Sequence, residues 1–159
     1  MTTAETSGVR ERSVVHSTFT VERVYDATPA RVFAAWSDPV AKARWFGPPD
    51  GSADGHEMDF RPGGRERLVV SSPDATWTFE SRYEEIVPDE RIVHSYVMDR
   101  DELRVSASIA TIQLFAEGDG TRLVLTEQGA FLDGQDTPAA REHGTRELLE
   151  VLAGALDGA

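Results

Sequence analysis

The sequence predicts an α+β domain in which one curved antiparallel sheet closes around a long C-terminal helix, with two short helices after the first strand. Three observations predict it. Alternating apolar segments separated by turn residues fill the middle of the chain; two cap-then-proline signals follow the first of these segments; and a helical apolar period is sustained only after about Thr137.

Residues 1–13 are small, polar and charged, too poor in apolar groups to offset the entropy of ordering, and read as a flexible tail before a single domain over 14–159. From Val14 to Tyr25, Val15, Phe19, Val21 and Val24 lie among polar neighbours as a half-buried strand requires, with a break expected in the alternation. Asp26 and Thr28 precede Pro29, the chemistry that caps a helix with proline in its first turn, and Val32, Phe33 and Trp36 give that helix an apolar face. Asp38 and Pro39 repeat the signal for a second helix through Ala43 to Trp45, stopped by Gly47, Pro48 and Pro49.

A polar loop leads into a meander: His56 to Phe60, the turn Arg61-Pro-Gly-Gly64, Arg65 to Ser71, and a turn at Pro73 and Asp74. A long segment carrying Trp77, Phe79 and Tyr83 ends at Pro88 to Glu90 and returns as Arg91 to Met98, with Ile92, His94, Tyr96 and Met98 on one face. Leu103 to Phe115 and Arg122 to Thr126 pair through Glu117 to Gly120, where glycines permit positive torsions. Leu148, Leu149, Val151, Leu152 and Leu156 then form the stripe of the one long helix, which needs the concave side of the sheet to stay dry.

Composition narrows the function. With 28 acidic against 16 basic residues and a formal net charge of −12, the average surface repels phosphate backbones and anionic membranes, so nucleic acid is not an expected partner. Zero cysteines remove disulfides, thiol nucleophiles and thiolate metal sites. No apolar run approaches the roughly 20 residues of a spanning helix, and the opening residues lack the apolar core of a secretory signal. The expectation is a cytoplasmic protein without membrane insertion. The 15 arginines against one lysine, Lys42, form no basic patch and are given no mechanistic weight.

The element order, with Thr28-Pro-Ala-Arg-Val-Phe-Ala-Ala-Trp36, Asp38-Pro39, Arg44-Trp45-Phe46, Arg61-Pro-Gly-Gly64, Tyr83-Glu-Glu-Ile-Val-Pro88 and Glu90-Arg91-Ile92, resembles the START-like (SRPBCC, helix-grip) superfamily. Within it the chain is similar to the activator of heat-shock-protein-90 ATPase homologue-like family, over roughly Ser17 to Leu156. His143-Gly144 with Leu149 and Leu152 carries the resemblance into the helix, but Thr145 stands where the family usually has tryptophan. Losing that indole enlarges or opens the cavity mouth unless neighbours fill it. The resemblance implies a helix-grip fold with an apolar cavity beneath the long helix. The superfamily includes lipid carriers, hormone receptors, polyketide cyclases and proteins that sequester natural products.

The candidate ligand-binding residues are Trp36, Trp45, Phe46, Phe60, Trp77, Phe79, Tyr83, His94, Tyr96, His143 and Leu148. The aromatic ones, with Phe131, serve equally as ordinary core. His94 and Tyr96 share a strand face and His143 sits on the helix, so the three could converge as hydrogen-bonding or acid and base groups. No motif places a carboxylate to orient His94 or His143, and no catalytic residue is assigned. His56-Glu57-Met58-Asp59 invites a metal reading, but alternation sends His56 and Met58 to one face and Glu57 and Asp59 to the other. The glycine turns lack the lysine and following helix of a phosphate loop, and no Gly-x-Ser-x-Gly elbow is present. No metal or cofactor is implied. Arg61, Arg65 and Arg67 could receive an acidic ligand, or simply pair with the acidic surface.

Three functions follow: binding or sequestration of a small hydrophobic or aromatic, lipid- or polyketide-like molecule; a polyketide cyclase or dehydratase using the same cavity; and a co-chaperone-like regulator of an ATPase acting through its surface. The last is weakened because the match does not extend to the separate N-terminal domain of eukaryotic activators. A homodimer through a sheet edge or the short helices stays open.

Overall fold

The computed structural model describes residues 11–48 and 52–157; most of the predicted tail, and part of the polar loop before the meander, lie outside them. Strand β1 (Val14–Tyr25) is followed by helices α1 (Pro29–Ser37) and α2 (Pro39–Ala43). The meander then runs β2 (Gly55–Met58), β3 (Arg65–Ser71), β4 (Thr76–Val87), β5 (Arg91–Arg100), β6 (Leu103–Glu117) and β7 (Gly120–Leu132), and α3 (Pro138–Asp157) closes the chain. The order across the sheet is β1-β7-β6-β5-β4-β3-β2, every pairing antiparallel. This is the predicted helix-grip architecture, with the first strand zipped to the last.

Each helix opens on the same chemistry. Thr28 Oγ1 accepts from the Arg31 N–H and Asp38 Oδ1 from the Val40 N–H, each just before a proline. Thr137 Oγ1 accepts from the Ala140 N–H ahead of Pro138, a third use of the signal. The second helix ends at Ala43, two residues short of the sequence expectation, and Arg44 and Trp45 form a turn. Strand β7 runs on six residues beyond Thr126 to Leu132, because β1 and β6 both pair with it there.

The expected break in β1 is absent. Its register with β7 runs unbroken from Val14↔Leu132 to Tyr25↔Thr121, and Val24 is simply on the outer face, 62% exposed. The irregularities fall in the middle of the sheet, between Tyr83 and Glu85 and between Met98 and Asp99. An extra residue in one strand increases local twist, and the two sites together bend the sheet around the helix.

The Arg61-Pro-Gly-Gly64 turn has a steric reason. Gly63 has φ of +83°, and a Cβ on Gly64 would lie 2.0 Å from the Asp59 carbonyl oxygen. The turn clasps β4: the Gly63 N–H donates to the Tyr83 carbonyl and the Tyr83 N–H to the Gly64 carbonyl, at 2.7 and 3.0 Å. The main core lies between α1, α3 and strands β1, β7 and β6, where Val21, Val32, Ile112, Leu123, Leu149 and Leu152 are at most 1% exposed. A smaller cluster of Leu68, Phe79, Tyr96 and Ala110 occupies the other half of the concave face. No helix among the described residues is long and apolar enough to cross a membrane.

Candidate ligand-binding site

Alternation along β3, β4 and β5 sends Leu68, Val70, Trp77, Phe79, Tyr96 and Met98 to the concave face, toward the N-terminal half of α3. That half of the helix presents Ala140, Arg141, Gly144, Thr145 and Leu148, too little side-chain volume to fill the space. What remains is a cavity of about 490 Å³, with Phe46, Gly47 and Pro48 also among its walls. An inner chamber of about 70 Å³ lies deeper, walled by Trp36, Lys42, Trp45, His94, Glu127 and Leu149 among others. Phe46, Phe79, Tyr96, Thr145 and Leu148 line both spaces. A depression of about 600 Å³ on the outer sheet face, between His16, Thr18, Ile109 and Gln128, is shallow and has none of the buried charged groups that surround the inner cavity.

Two buried polar clusters flank the cavity. In the first, Lys42 Nζ donates to Glu66 Oε1 at 2.5 Å, Tyr83 Oη donates to the same oxygen at 2.7 Å, and His56 Nε2 lies 2.7 Å from Oε2. Lys42 and Glu66 are 3% and 2% exposed. Burial pushes the Glu66 carboxyl up, but the Lys42 charge and three hydrogen bonds outweigh it and hold the group at about 2. Burial pushes the Lys42 ammonium down, and the carboxylate beside it opposes that. The ammonium also lies 4.5 Å from the Phe46 ring centroid and 5.6 Å from that of Trp36.

In the second cluster, Tyr96 Oη donates to Glu127 at 2.9 Å, and Arg141 donates through Nη1 to Tyr96 Oη and Glu127 Oε2, and through Nη2 to Ser106 Oγ and Asp136 Oδ2. Burial and the Glu127 charge push the Tyr96 phenol up. Between the clusters, His94 Nδ1 bonds Ser81 Oγ at 2.9 Å; burial, reinforced by Lys42, pushes this imidazole down to about 3, so it is neutral at physiological pH.

The structure brings eight of the predicted residues to the cavity: Trp36, Trp45, Phe46, Trp77, Phe79, His94, Tyr96 and Leu148. Phe60 and Tyr83 are not in its walls. Phe60 packs edge-on against Phe33 and Tyr83, and the Tyr83 hydroxyl is committed to Glu66. Phe131 is buried beneath the Arg141 guanidinium. His143 does not converge with His94 and Tyr96; its side chain is 75% exposed and pairs with Glu147 one turn on, because its position on α3 faces solvent. Arg61 and Arg67 pair with Asp59 and Glu80 on the surface. Thr145 lines the junction of the two chambers, where the absent indole would stand.

Lys42, Glu66, Ser81, Ser106, Glu127 and Arg141 were not anticipated. A signal existed for two of them: Glu66 alternates with the outward Arg65 and Arg67, and Glu127 follows Leu123 and Leu125 at a spacing of two, so both are charges at inward positions. Among the described residues no three His, Asp or Glu side chains gather as a metal-holding group.

The model of the family described as Activator of Hsp90 ATPase homolog 1-like protein matches residues 26–157. Among solved structures, a protein from Rhizobium leguminosarum is 42% identical, covering 94% of this chain and 99% of its own, with a TM-score of 0.90. The Mll3558 protein from Rhizobium loti is 46% identical over 90% of this chain and 99% of its own, with a TM-score of 0.85. CalU16 from Micromonospora echinospora, 21% identical over 93% and 86% with a TM-score of 0.64, shares the fold. No curated protein matches. The chain therefore belongs to the Activator of Hsp90 ATPase homolog 1-like family.

Proposed function

We propose that this protein binds or sequesters a small hydrophobic or aromatic molecule, lipid- or polyketide-like, in the space between the sheet and α3. The observation that carries the reading is the cavity itself. Its volume of about 490 Å³ lies in the range of roughly 300–1,000 Å³ typical of small-molecule sites, and its walls combine aromatic and aliphatic side chains with a few polar groups. Ligand contacts at Phe46, Trp77, Phe79, Tyr96 and Leu148 supply burial of a flat apolar body.

Binding is favoured over turnover by the protonation states. A general acid or base works best with its pKa near the working pH, yet His94 is pushed down to about 3 and the Tyr96 phenol upward. A cyclase or dehydratase would have to find its proton carrier elsewhere. A regulator acting through its surface needs a gathered apolar patch, and the exposed large apolar side chains are distributed over β1, α2, β6 and α3.

The test is a thermal-shift screen against aromatic polyketides, flavonoids, fatty acids and sterols, with tryptophan quenching and product analysis on each hit. A saturable hit recovered unchanged is the expected result, and Thr145→Trp should weaken it by filling the chamber junction. A converted ligand would replace binding with catalysis, and no hit in any class would remove the cavity reading.

A further inference from the structure

His94 is one of the side chains that wall the inner chamber, reaching it from the face of β5 that also carries Ile92 and Tyr96. Its ring is stacked on Tyr96, with centroids 5.6 Å apart, and is flanked by Phe79 and Tyr83, each at 6.3 Å. Nδ1 is held by Ser81 Oγ at 2.9 Å, whereas Nε2 meets no partner among the described residues. That second nitrogen is not closed off. Among the described residues, the buried side-chain atoms that lack both a partner and surface open to water are Trp36 Nε1 and Ser108 Oγ, so His94 Nε2 keeps open surface. In an inward-pointing ring that is only 8% exposed and lines the chamber, that surface opens on the chamber.

Hydrogen-bond pairing sets what Nε2 offers. Ser81 is buried, and His94 is the one partner of its Oγ among the described residues, so its hydroxyl hydrogen is paired only when it points at Nδ1. Burial keeps the imidazole neutral, and a neutral ring that accepts at Nδ1 carries its hydrogen on Nε2. The chamber is therefore presented with an N–H. The surrounding charges set which acceptor suits it. Lys42 is balanced by Glu66 at 2.5 Å, and Arg141 faces both Glu127 and Asp136 at 3.1 Å, so three carboxylates already stand against two cations around the two connected spaces. An anion would lose its hydration and enter against that excess, whereas a neutral acceptor gains a hydrogen bond at a small desolvation cost.

Resting on the cavity reading above, we infer that His94 Nε2–H is the polar anchor of the site, and that the ligand is a neutral, largely apolar molecule offering it a ketone, ester or ether oxygen. The oxygen sits against His94, and the apolar body runs between Phe79, Thr145 and Leu148, which line both spaces, into the outer cavity beside Trp77 and Met98. His94 serves binding, and the Ser81 hydroxyl is the positioning group that fixes its tautomer.

The test uses the full chain with ¹⁵N-labelled histidine rings and three probes built on one tricyclic skeleton: 9-fluorenone, fluorene and fluorene-9-carboxylate. The four histidines give separate ring signals, assigned by substituting His16, His56 and His143 in turn. The expected result is a neutral His94 with its hydrogen on Nε2. 9-Fluorenone should bind about threefold to tenfold more tightly than fluorene, the range one net hydrogen bond supplies, and shift the His94 Nε2 signal, which fluorene leaves in place. His94→Leu should erase the preference while keeping fluorene binding, and His94→Gln, whose amide N–H can stand in for the ring, should retain part of it. The wild-type probe pair and spectra decide the matter if those variants do not fold. A ring hydrogen on Nδ1, or equal affinities with Nε2 unmoved, would overturn the anchor and leave the cavity reading standing. Tighter binding of fluorene-9-carboxylate would overturn the neutrality of the ligand. Failure of all three probes to bind would remove the inference and the cavity reading together.

Discussion

Beneath the C-terminal half of α3, Leu149, Leu152 and Leu156 are buried against β1, β7, β6 and α1, and the helix is tied down by Tyr25 Oη on the Leu149 carbonyl, Arg23 on Glu150 and Arg31 on the Leu156 carbonyl. Beneath its N-terminal half, Gly144, Thr145 and Leu148 face β3, β4 and β5 across the cavity. One half is closed by leucines; the other is framed by the Lys42–Glu66 and Arg141–Glu127 pairs. The difference teaches how one sheet and one helix serve two ends. Apolar packing gains free energy by eliminating voids, so it cannot both stabilise a region and keep a cavity there. Hydrogen-bonded charges can hold walls apart at defined distances, at a desolvation cost that the packed half offsets.

The contrast is most sharply broken at Glu66. Glu66→Gln leaves the Lys42 ammonium buried without its counter-charge, and urea denaturation should show a loss of about 3–5 kcal/mol. The double change Lys42→Met with Glu66→Leu should recover much of it. A loss under about 1 kcal/mol for the single variant would mean that the pair does not frame the open half.

Next in size is a matched pair on one helix. Leu152→Ala removes a side chain that is 0% exposed and should cost about 2–5 kcal/mol. Leu148→Ala, at the cavity wall, should cost less than about 1 kcal/mol while weakening any ligand identified by the screen. Equal costs by calorimetry would show the open half to be packed after all.

The smallest effect is a pH dependence. His94 titrates at about 3 in the folded protein against roughly 6.5 in an unfolded chain. Only the unfolded state takes up the proton in between, so its contribution is complete above about pH 6.5 and is lost progressively as pH falls toward 3. Linkage makes that on the order of 2–3 kcal/mol by pH 4.5. Glu66, held at about 2, adds a loss from roughly pH 4.5 downward. His94→Gln should flatten the decline between pH 6.5 and 4.5 in stability curves taken at constant salt; an unchanged slope would place the titrating group elsewhere.

The elements were legible because their signals are local. Thr28-Pro29 and Asp38-Pro39 mark helix starts by capping chemistry, and Ile92, His94, Tyr96 and Met98 share a face because strand side chains alternate. The site was legible in part. Trp77, Phe79 and Tyr96 reach the cavity because their strand faces are set by alternation, whereas Phe60 and His143 do not, because a turn and a helix azimuth decide their direction. Lys42 carried no signal: a single lysine on a five-residue helix looks like surface until β3 is laid across it.

The sequence by itself determined the order of elements, the inward faces of the strands, the glycine-dependent turn at Gly63 and Gly64, and the position of the apolar stripe on α3. Only the tertiary structure decided which inward residues become core and which become cavity wall. It also decided that Glu66 would meet Lys42, 24 residues away, and that Trp45 Nε1 would find the Ala35 carbonyl while Trp36 Nε1 meets no acceptor among the described residues. The reason is physical. Periodicity and capping act over a few residues along the chain, whereas void volume, charge pairing and hydrogen-bond satisfaction are properties of groups that become neighbours only when the sheet closes on the helix.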